Sequence, residues 1–359
     1  MKAVLLVGGE GTRLRPLTCN TVKAMVPILN RPFLAHLLAY LASHGVDDIV
    51  VTLCYLPDRI GGQFGDGSAC GVKLTYVMEE TPLGTAGAVK NAEPRLDGSF
   101  FVFNGDILTD IDLRAMMDFH RRSGAVATIA LTPVEDPSAY GVVETAPDGR
   151  VKRFIEKPPR HEAPTNMINA GIYVLDASVL DRVPKGQPCM FERQVFPGLL
   201  AAGAPVYAFP TTDYWIDIGT PDKYRQVQYD LLEGKCASHL QSARPGGGAA
   251  ARLDPSAAVD GPVLFGRDCT IGAGARIKGP AVLGDGCTVL DGSTVDRAII
   301  WTGARIGRGA TVRDCVIGGK TTVGDGCVIE AGAVVGDSVV VTTGSRVAAG
   351  QKVWPDTTL

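Results

Sequence analysis

The sequence predicts an α/β domain built on a mostly parallel sheet, followed by a parallel β-helix. Three observations predict it. Short apolar strands alternate with helical segments up to about Tyr229; a Gly/Pro stretch then breaks the alternation; beyond it one large apolar residue recurs every six positions. The boundaries follow as residues 1–235 for the first domain, 236–252 for a linker and 253–359 for the repeat domain.

Ala3-Val4-Leu5-Leu6-Val7 reads as a buried parallel strand. It runs into Gly8-Gly9-Glu10-Gly11-Thr12-Arg13-Leu14-Arg15-Pro16, with Lys23 shortly after. Glycines let a backbone approach an anion and aim its N–H groups there, and Arg13, Arg15 and Lys23 supply cations for a triphosphate. A dinucleotide fingerprint is excluded, because Leu14 stands where its third glycine belongs and Pro16 where a helix would be running. A P-loop would need a Gly-Lys-Ser/Thr ending, which the chain lacks.

After Pro32, suited to a first helical turn, Leu34, Leu37, Leu38 and Leu41 mark one face of a helix. Ile49–Leu53, Leu74–Val77 and Phe100–Phe103 read as further strands, giving βαβ units. Gln241-Ser242-Ala243-Arg244-Pro245-Gly246-Gly247-Gly248 has linker composition.

The repeat runs Val259, Phe265, Ile271, Ile277, Leu283, Val289, Val295, slips by one, resumes at Ile306 and Val312, slips again, and continues through Val323, Ile329 and Val335. Two positions before most of these stands a small residue, among them Cys269, Ala275, Cys287, Ala304, Ala310 and Cys327, and Cys315 falls on the same column. One large and one small inward residue per hexad is what a triangular parallel β-helix requires; a period of 3.6 would scatter them. The four cysteines on this column read as small buried fillers and not as metal ligands.

The chain has 359 residues, a net charge of −3, nine cysteines and no CxxC pair. That balance suggests neither nucleic-acid nor membrane binding, and an odd cysteine count fits a reducing compartment. With no signal pattern and no apolar run near the length of a membrane span, the expected location is cytoplasmic.

Five further stretches carry candidate chemistry: Glu79-Glu80-Thr81-Pro82-Leu83-Gly84-Thr85-Ala86-Gly87, Phe103-Asn104-Gly105-Asp106, Phe154-Ile155-Glu156-Lys157-Pro158, Ile168-Asn169-Ala170-Gly171-Ile172-Tyr173 and Trp215-Ile216-Asp217-Ile218-Gly219-Thr220-Pro221. With the glycine-rich loop, this ordered set resembles the sugar-phosphate nucleotidyltransferases over nearly the whole first domain. Together with Tyr140-Gly141-Val142-Val143, it is most similar to the branch that transfers a guanylyl group to mannose 1-phosphate.

The resemblance implies a Rossmann-like nucleotidyltransferase domain and, by likeness to hexapeptide-repeat proteins, a left-handed β-helix that makes homo-oligomers. The implied reaction is GTP plus mannose 1-phosphate to GDP-mannose and pyrophosphate. In-line attack by a sugar-phosphate oxygen on the α-phosphorus brings two anions together, so cations must offset their repulsion. Arg13 and Lys23 are the implied catalytic cations. Gly8, Gly9, Gly11, Thr12, Glu80, Gly84 and Asp106 are implied nucleotide contacts, with Glu80 accepting from guanine. Tyr140, Gly141, Glu156, Lys157, Asn169 and Gly171 are implied for the sugar phosphate, the two glycines leaving room for the ring. Asp106 and Asp217 are the implied Mg²⁺ ligands. Lys23 departs from the family's Pro-Lys-Pro setting, standing in Val22-Lys23-Ala24, so a less rigid loop is expected.

Three other functions compete. A glucose-1-phosphate uridylyl- or thymidylyltransferase would keep the mechanism and change a few contacts. An acyltransferase using a histidine on the repeat is disfavoured, because His36, His44, His120, His161 and His239 all precede that domain. A non-catalytic NDP-sugar-binding subunit would be expected to have lost Arg13, Lys23, Asp106 or Asp217, and all four are present.

Overall fold

The computed structural model describes residues 1–54, 57–236 and 251–359, so residues 237–250 of the expected linker lie outside the described residues. The chain divides into two compact units, Met1–Gly9 with Leu37–Trp215, and Glu10–His36 with Ile216–Leu359.

The first unit holds a nine-stranded sheet. Its main path runs Val151–Glu156, Gly141–Thr145, Met167–Asp176, Ser99–Asn104, Lys2–Leu6, Asp48–Leu53, Lys73–Met78. Lys2–Leu6 pairs in parallel with Ser99–Asn104 on one side and Asp48–Leu53 on the other, and Asp48–Leu53 with Lys73–Met78. The inner strands carry continuous apolar runs, as strands covered on both faces do, with Ala3, Val4, Leu5 and Phe100 to Phe103 wholly buried, while the edge strand Lys73–Met78 is only partly buried.

The other half of the sheet is mixed: Val206–Pro210 pairs in parallel with Ala127–Pro133, and its remaining pairs are antiparallel. Met167–Asp176 runs against both Ser99–Asn104 and Ala127–Pro133, and Gly141–Thr145 against Val151–Glu156. Helices still intervene beyond Ser99–Asn104, Leu113–Ser123 before Ala127–Pro133 and Phe196–Ala201 before Val206–Pro210, but Gly141–Thr145 and Val151–Glu156 are joined by a short turn at Asp148-Gly149 that leaves no room for a crossover helix. The helix Phe33–Ser43 buries Leu34, Leu37, Leu38 and Leu41 as expected, while Pro32 ends a short strand just ahead of it.

In the second unit, residues Arg252–Val353 form three parallel sheets of six strands each. Successive coils stack in register: Ile271 on Val289, Val289 on Ile306, Ile306 on Val323 and Val323 on Val341. Every large residue of the repeat from Ile271 onward is buried, and the column extends past Val335 to Val341, Val347 and Val353. The two slips are coils of seventeen residues, in which Ile300 and Ile317 keep their places in the core. The missing residue is taken from the corner after Val295 and after Val312, where Arg297 and Asp314 adopt left-handed φ of 51° and 41°.

Cys269, Cys287, Cys315 and Cys327 are fully buried on the small-residue column. A glycine follows many large residues because the next coil passes too close for a Cβ: one on Gly307 would stand 2.4 Å from the carbonyl carbon of Gly324. Among the described residues no helix is long and apolar enough to cross a membrane.

Such a core has no slack. Ile329→Ala, at a wholly buried position, is expected to destabilise the β-helix by about 2–5 kcal/mol, seen as a lower unfolding temperature in calorimetry.

Candidate active site

In the second unit the expected phosphate-binding residues come together. Gly11 opens a short turn, Thr12–Leu14, with φ 64°, which a side chain rarely adopts. A Cβ there would lie 3.1 Å from Lys23 Cβ and 3.3 Å from Thr18 Cγ2, so the loop and Lys23 are neighbours although separated in sequence. Thr18 Oγ1 donates to the Gly11 carbonyl at 2.8 Å and fixes the loop's path. Lys23 begins the turn Lys23–Met25, with Val22 and Ala24 buried on either side. Packing of these two side chains holds the turn against the core.

Asp217 lies beside the same loop. At Gly219 a Cβ would meet Asp217 Oδ2 at 2.9 Å and Arg13 Nη2 at 3.0 Å, so the guanidinium and the carboxylate converge on that glycine. Asp217 is also ion-paired with Lys223 on the helix Pro221–Leu232. Sequence reasoning missed Lys223; its position six residues after Asp217, two into a helix capped by Thr220, was the available signal.

In the first unit Gly8 and Asp106 follow adjacent parallel strands and reach the same sheet edge. Gly105 N–H donates to the Leu6 carbonyl at 3.0 Å, and a Cβ on Gly105 would stand 2.7 Å from that oxygen. Close backbone approach thus sets where Asp106 leaves the sheet. Gly9 stands in open space, whereas a Cβ on Gly8 would lie 3.5 Å from Glu79 Oε1.

Glu79 and Glu80 differ sharply. Glu80 is exposed, while Glu79 is buried, accepts the Leu83 N–H at 3.0 Å, and has the Thr52 side chain nearby. Burial pushes the Glu79 carboxyl above the usual carboxylate range, against the pull of those two groups. The pair is therefore not a solvated acidic pair.

Asn169 begins a buried polar chain. Its Oδ1 accepts from Gly171 N–H at 2.8 Å, and its Nδ2 donates to Tyr173 Oη at 2.7 Å. Tyr173 donates to Glu192 Oε1 at 3.1 Å, and Thr85 Oγ1 donates to Glu192 Oε2 at 2.9 Å. The amide keeps one N–H and one lone pair for a ligand. Tyr173, Glu192 and Thr85 were not expected as partners, because nothing local in Phe191-Glu192-Arg193 distinguishes a buried glutamate from a surface one. Gly84, with φ 71°, packs against Cys189, whose carbonyl a Cβ would approach to 2.7 Å.

Tyr140, Gly141, Glu156 and Lys157 form a third group. Gly141 pairs with Glu156 across two antiparallel strands, and Lys157 N–H donates to the Tyr140 carbonyl at 2.9 Å. Lys157 Nζ lies 3.7 Å from Glu156 Oε1. Tyr140 meets Trp215 edge-on at 5.8 Å, and Trp215 Nε1 donates to the Ala170 carbonyl at 2.9 Å, tying this group to the Asn169 strand. The two glycines here face protein: a Cβ on Gly141 would lie 2.6 Å from the Phe154 ring, and one on Gly171 2.5 Å from Asn104 Nδ2. Protein packing accounts for both, in place of the room for a sugar ring expected of them.

Residues 2–234 match the nucleotidyl transferase family, and residues 248–347 match the EIF2B subunit epsilon LbH domain, a left-handed β-helix. A mannose-1-phosphate guanylyltransferase of Mycobacterium tuberculosis is 42% identical over 317 residues, covering 86% of this chain and 82% of that protein. A UTP–glucose-1-phosphate uridylyltransferase of Synechocystis is 36% identical over 345 residues, 90% of this chain and 88% of that one. The crystal structure of HddC from Yersinia pseudotuberculosis complexed with GMP-PN superposes with a TM-score of 0.55 at 31% identity, over 63% of this chain and 96% of that one.

Glu79 yields a prediction whose sign is fixed by its raised pKa. A carboxyl with a folded pKa above its unfolded one contributes most below the unfolded value, and that contribution is lost as pH rises through the folded one. Glu79→Gln keeps an acceptor for Leu83 and carries no charge. Its unfolding temperature relative to wild type is expected to rise as pH is raised above the ordinary glutamate pKa and to level off once the buried carboxyl has ionised, measured by thermal scans in matched buffers.

Proposed function

Because the chain belongs to the nucleotidyl transferase family, we propose that it transfers a guanylyl group from GTP to mannose 1-phosphate, forming GDP-mannose. A phosphate oxygen of the sugar phosphate forms the new bond to the α-phosphorus. The bond from that phosphorus to the β-phosphate bridging oxygen breaks, and pyrophosphate leaves carrying the electron pair. The observation that carries this reading is the convergence of Gly11, Lys23, Arg13 and Asp217 on one loop.

Arg13 presents a planar fork to the β- and γ-phosphates, and Lys23 a point charge to the α-phosphate, where negative charge builds in the transition state. Gly11 and Thr12 shape the loop around the anion. Lys157 takes the sugar phosphate; Glu156, Asn169 and Tyr140 bind the sugar, Asn169 being oriented for it by Tyr173. Gly141 and Gly171 allow the close packing that holds these groups. Gly8, Gly9, Gly84 and Glu80 are assigned to the nucleotide, with the buried Glu79 beside Gly8 a further carboxylate on that side.

Enzymes of this family work with a divalent metal ion. Hard carboxylate oxygens suit a small hard cation that keeps waters and phosphate oxygens in its shell, and Asp106 and Asp217 are the proposed ligands, with Mg²⁺ the proposed ion. Asp217 is already in a cationic setting, paired with Lys223. The ion would supply electrostatic relief to the phosphate oxygens. The β-helix is proposed to carry homo-oligomer contacts, its first coil exposing Leu253 and Val259.

The uridylyltransferase relative supports a second reading, UTP with glucose 1-phosphate. Pyrophosphate release is to be measured with Mg²⁺, crossing GTP, ATP, UTP and dTTP against mannose and glucose 1-phosphates. Turnover confined to GTP with mannose 1-phosphate is the expected result. Fast turnover with UTP and glucose 1-phosphate alone would establish the second reading, and silence throughout would leave a binding subunit. Lys23→Ala and Asp106→Asn are expected to lower kcat by about 10²–10³.

A further inference from the structure

Lys23 sits on a single short turn, and the β-helix reaches the chain on both sides of it. Ahead of the turn, the Asn20 side chain bonds the Asp337 carboxylate. Behind it, Tyr224 Oη donates to the Pro27 carbonyl at 2.5 Å, and Trp301 Nε1 donates to Tyr224 Oη at 2.9 Å. At the hairpin turn that follows, Asn30 Nδ2 donates to the Leu283 carbonyl at 2.8 Å, and Leu29 N–H donates to Gln228 Oε1 at 3.1 Å.

Leu283, Trp301 and Asp337 lie along one corner of the β-helix. Leu283 stacks on Ile300, Ile300 on Ile317 and Ile317 on Val335; Trp301 directly follows Ile300, and Asp337 is two residues past Val335. The positions equivalent to Trp301 in the neighbouring coils are Gly284, Gly318 and Gly336. A tryptophan stands in that column twice, exposed at Trp354 in the last coil and buried at Trp301 in the coil that meets Tyr224. Leu29 and Asn30 are meanwhile held at φ 45° and 63°. A leucine adopts that conformation only where its surroundings impose it.

Tyr224 is wholly buried, gives its one proton to Pro27 and receives the indole proton, so its hydroxyl orientation is fixed. We propose that the β-helix is the rigid member that places Lys23 for the transfer, with Trp301 a positioning residue acting through Tyr224 on the Pro27 carbonyl. This rests on the role given to Lys23 above. The β-helix is then part of the apparatus that fixes the α-phosphate contact, in addition to any part it has in assembly.

The test compares full-length Trp301→Phe, Tyr224→Phe and the double variant with wild type and with Ile329→Ala, which weakens the β-helix core away from this corner. Two readouts are taken: amide hydrogen exchange over Leu17–Leu29, which needs no activity, and kcat and KM in the pyrophosphate assay. Each single variant is expected to raise exchange in that segment and lower kcat by about tenfold, the loss of about one buried hydrogen bond. KM for the sugar 1-phosphate should stay within about twofold, since Lys23 acts on charge that develops after binding. The double variant should be no worse than Tyr224→Phe, because both cut one chain of bonds. Ile329→Ala should match wild type in both readouts while unfolding at a lower temperature.

Unchanged exchange in Trp301→Phe overturns the proposal. So does raised exchange with unchanged kcat, or an equal loss in Ile329→Ala. A wild-type protein silent with every substrate pair sinks the transferase reading and the catalytic half of this proposal together; the exchange comparison then still decides whether the β-helix holds the segment.

Discussion

A cation on a short loop is useful to a polyanion only if the backbone beneath it stays still. Lys23 and Arg13 are carried on turns of three residues, too short to stabilise themselves. Their order comes from outside: from Gly11 approaching Lys23 and Thr18, from Val22 and Ala24 buried beside the lysine, and from the hairpin pinned at Leu29 and Asn30. On the proposed reading the second unit serves this need. Its glycine-rich loop, its helix Pro221–Leu232 and its β-helix share contacts that each leave the loop with fewer ways to move.

The first unit meets a related demand with a different device. In the proposed function Asn169 reads sugar hydroxyls, and a group that does so must not rotate. Asn169 is held through both ends of its amide, and the chain through Tyr173 to Glu192 and Thr85 satisfies each buried polar atom in turn. Burial and the nearby Glu192 charge push the Tyr173 phenol well above its ordinary range, so it remains a hydrogen-bond donor throughout physiological pH. Such a network is strong only when complete, which makes Glu192, far from the motif in sequence, as much a part of the site's geometry as Asn169.

How much of this was legible in the sequence depended on range. The β-helix was legible because its core is one-dimensional, so spacing along the chain is position in space; the column was followed to Val335, and its continuation to Val353 obeys the same rule. Strand positions in the parallel half were legible from continuous apolar runs. The mixed half was not, since pairing partners such as Met167–Asp176 and Ala127–Pro133 carry no mark of direction. Among the site residues, Gly11, Arg13 and Lys23 announced themselves by composition. Lys223 did not, because its pairing with Asp217 depends on where a helix begins. The contrast between Glu79 and Glu80 was equally hidden, since adjacent identical residues are separated only by which one the backbone turns inward.

The two coils of seventeen residues have a meaning beyond irregularity. Each has lost its residue at the corner that carries Arg297 or Asp314, and both of these meet the helix Pro221–Leu232: Tyr229 donates to the Arg297 carbonyl, its Oη lies 3.1 Å from Asp314 Oδ1, and the Arg297 guanidinium lies 4.7 Å over the Tyr229 ring. At both places the break in the hexad pattern coincides with a neighbour, so these two interruptions mark in the sequence where the β-helix meets the helix Pro221–Leu232.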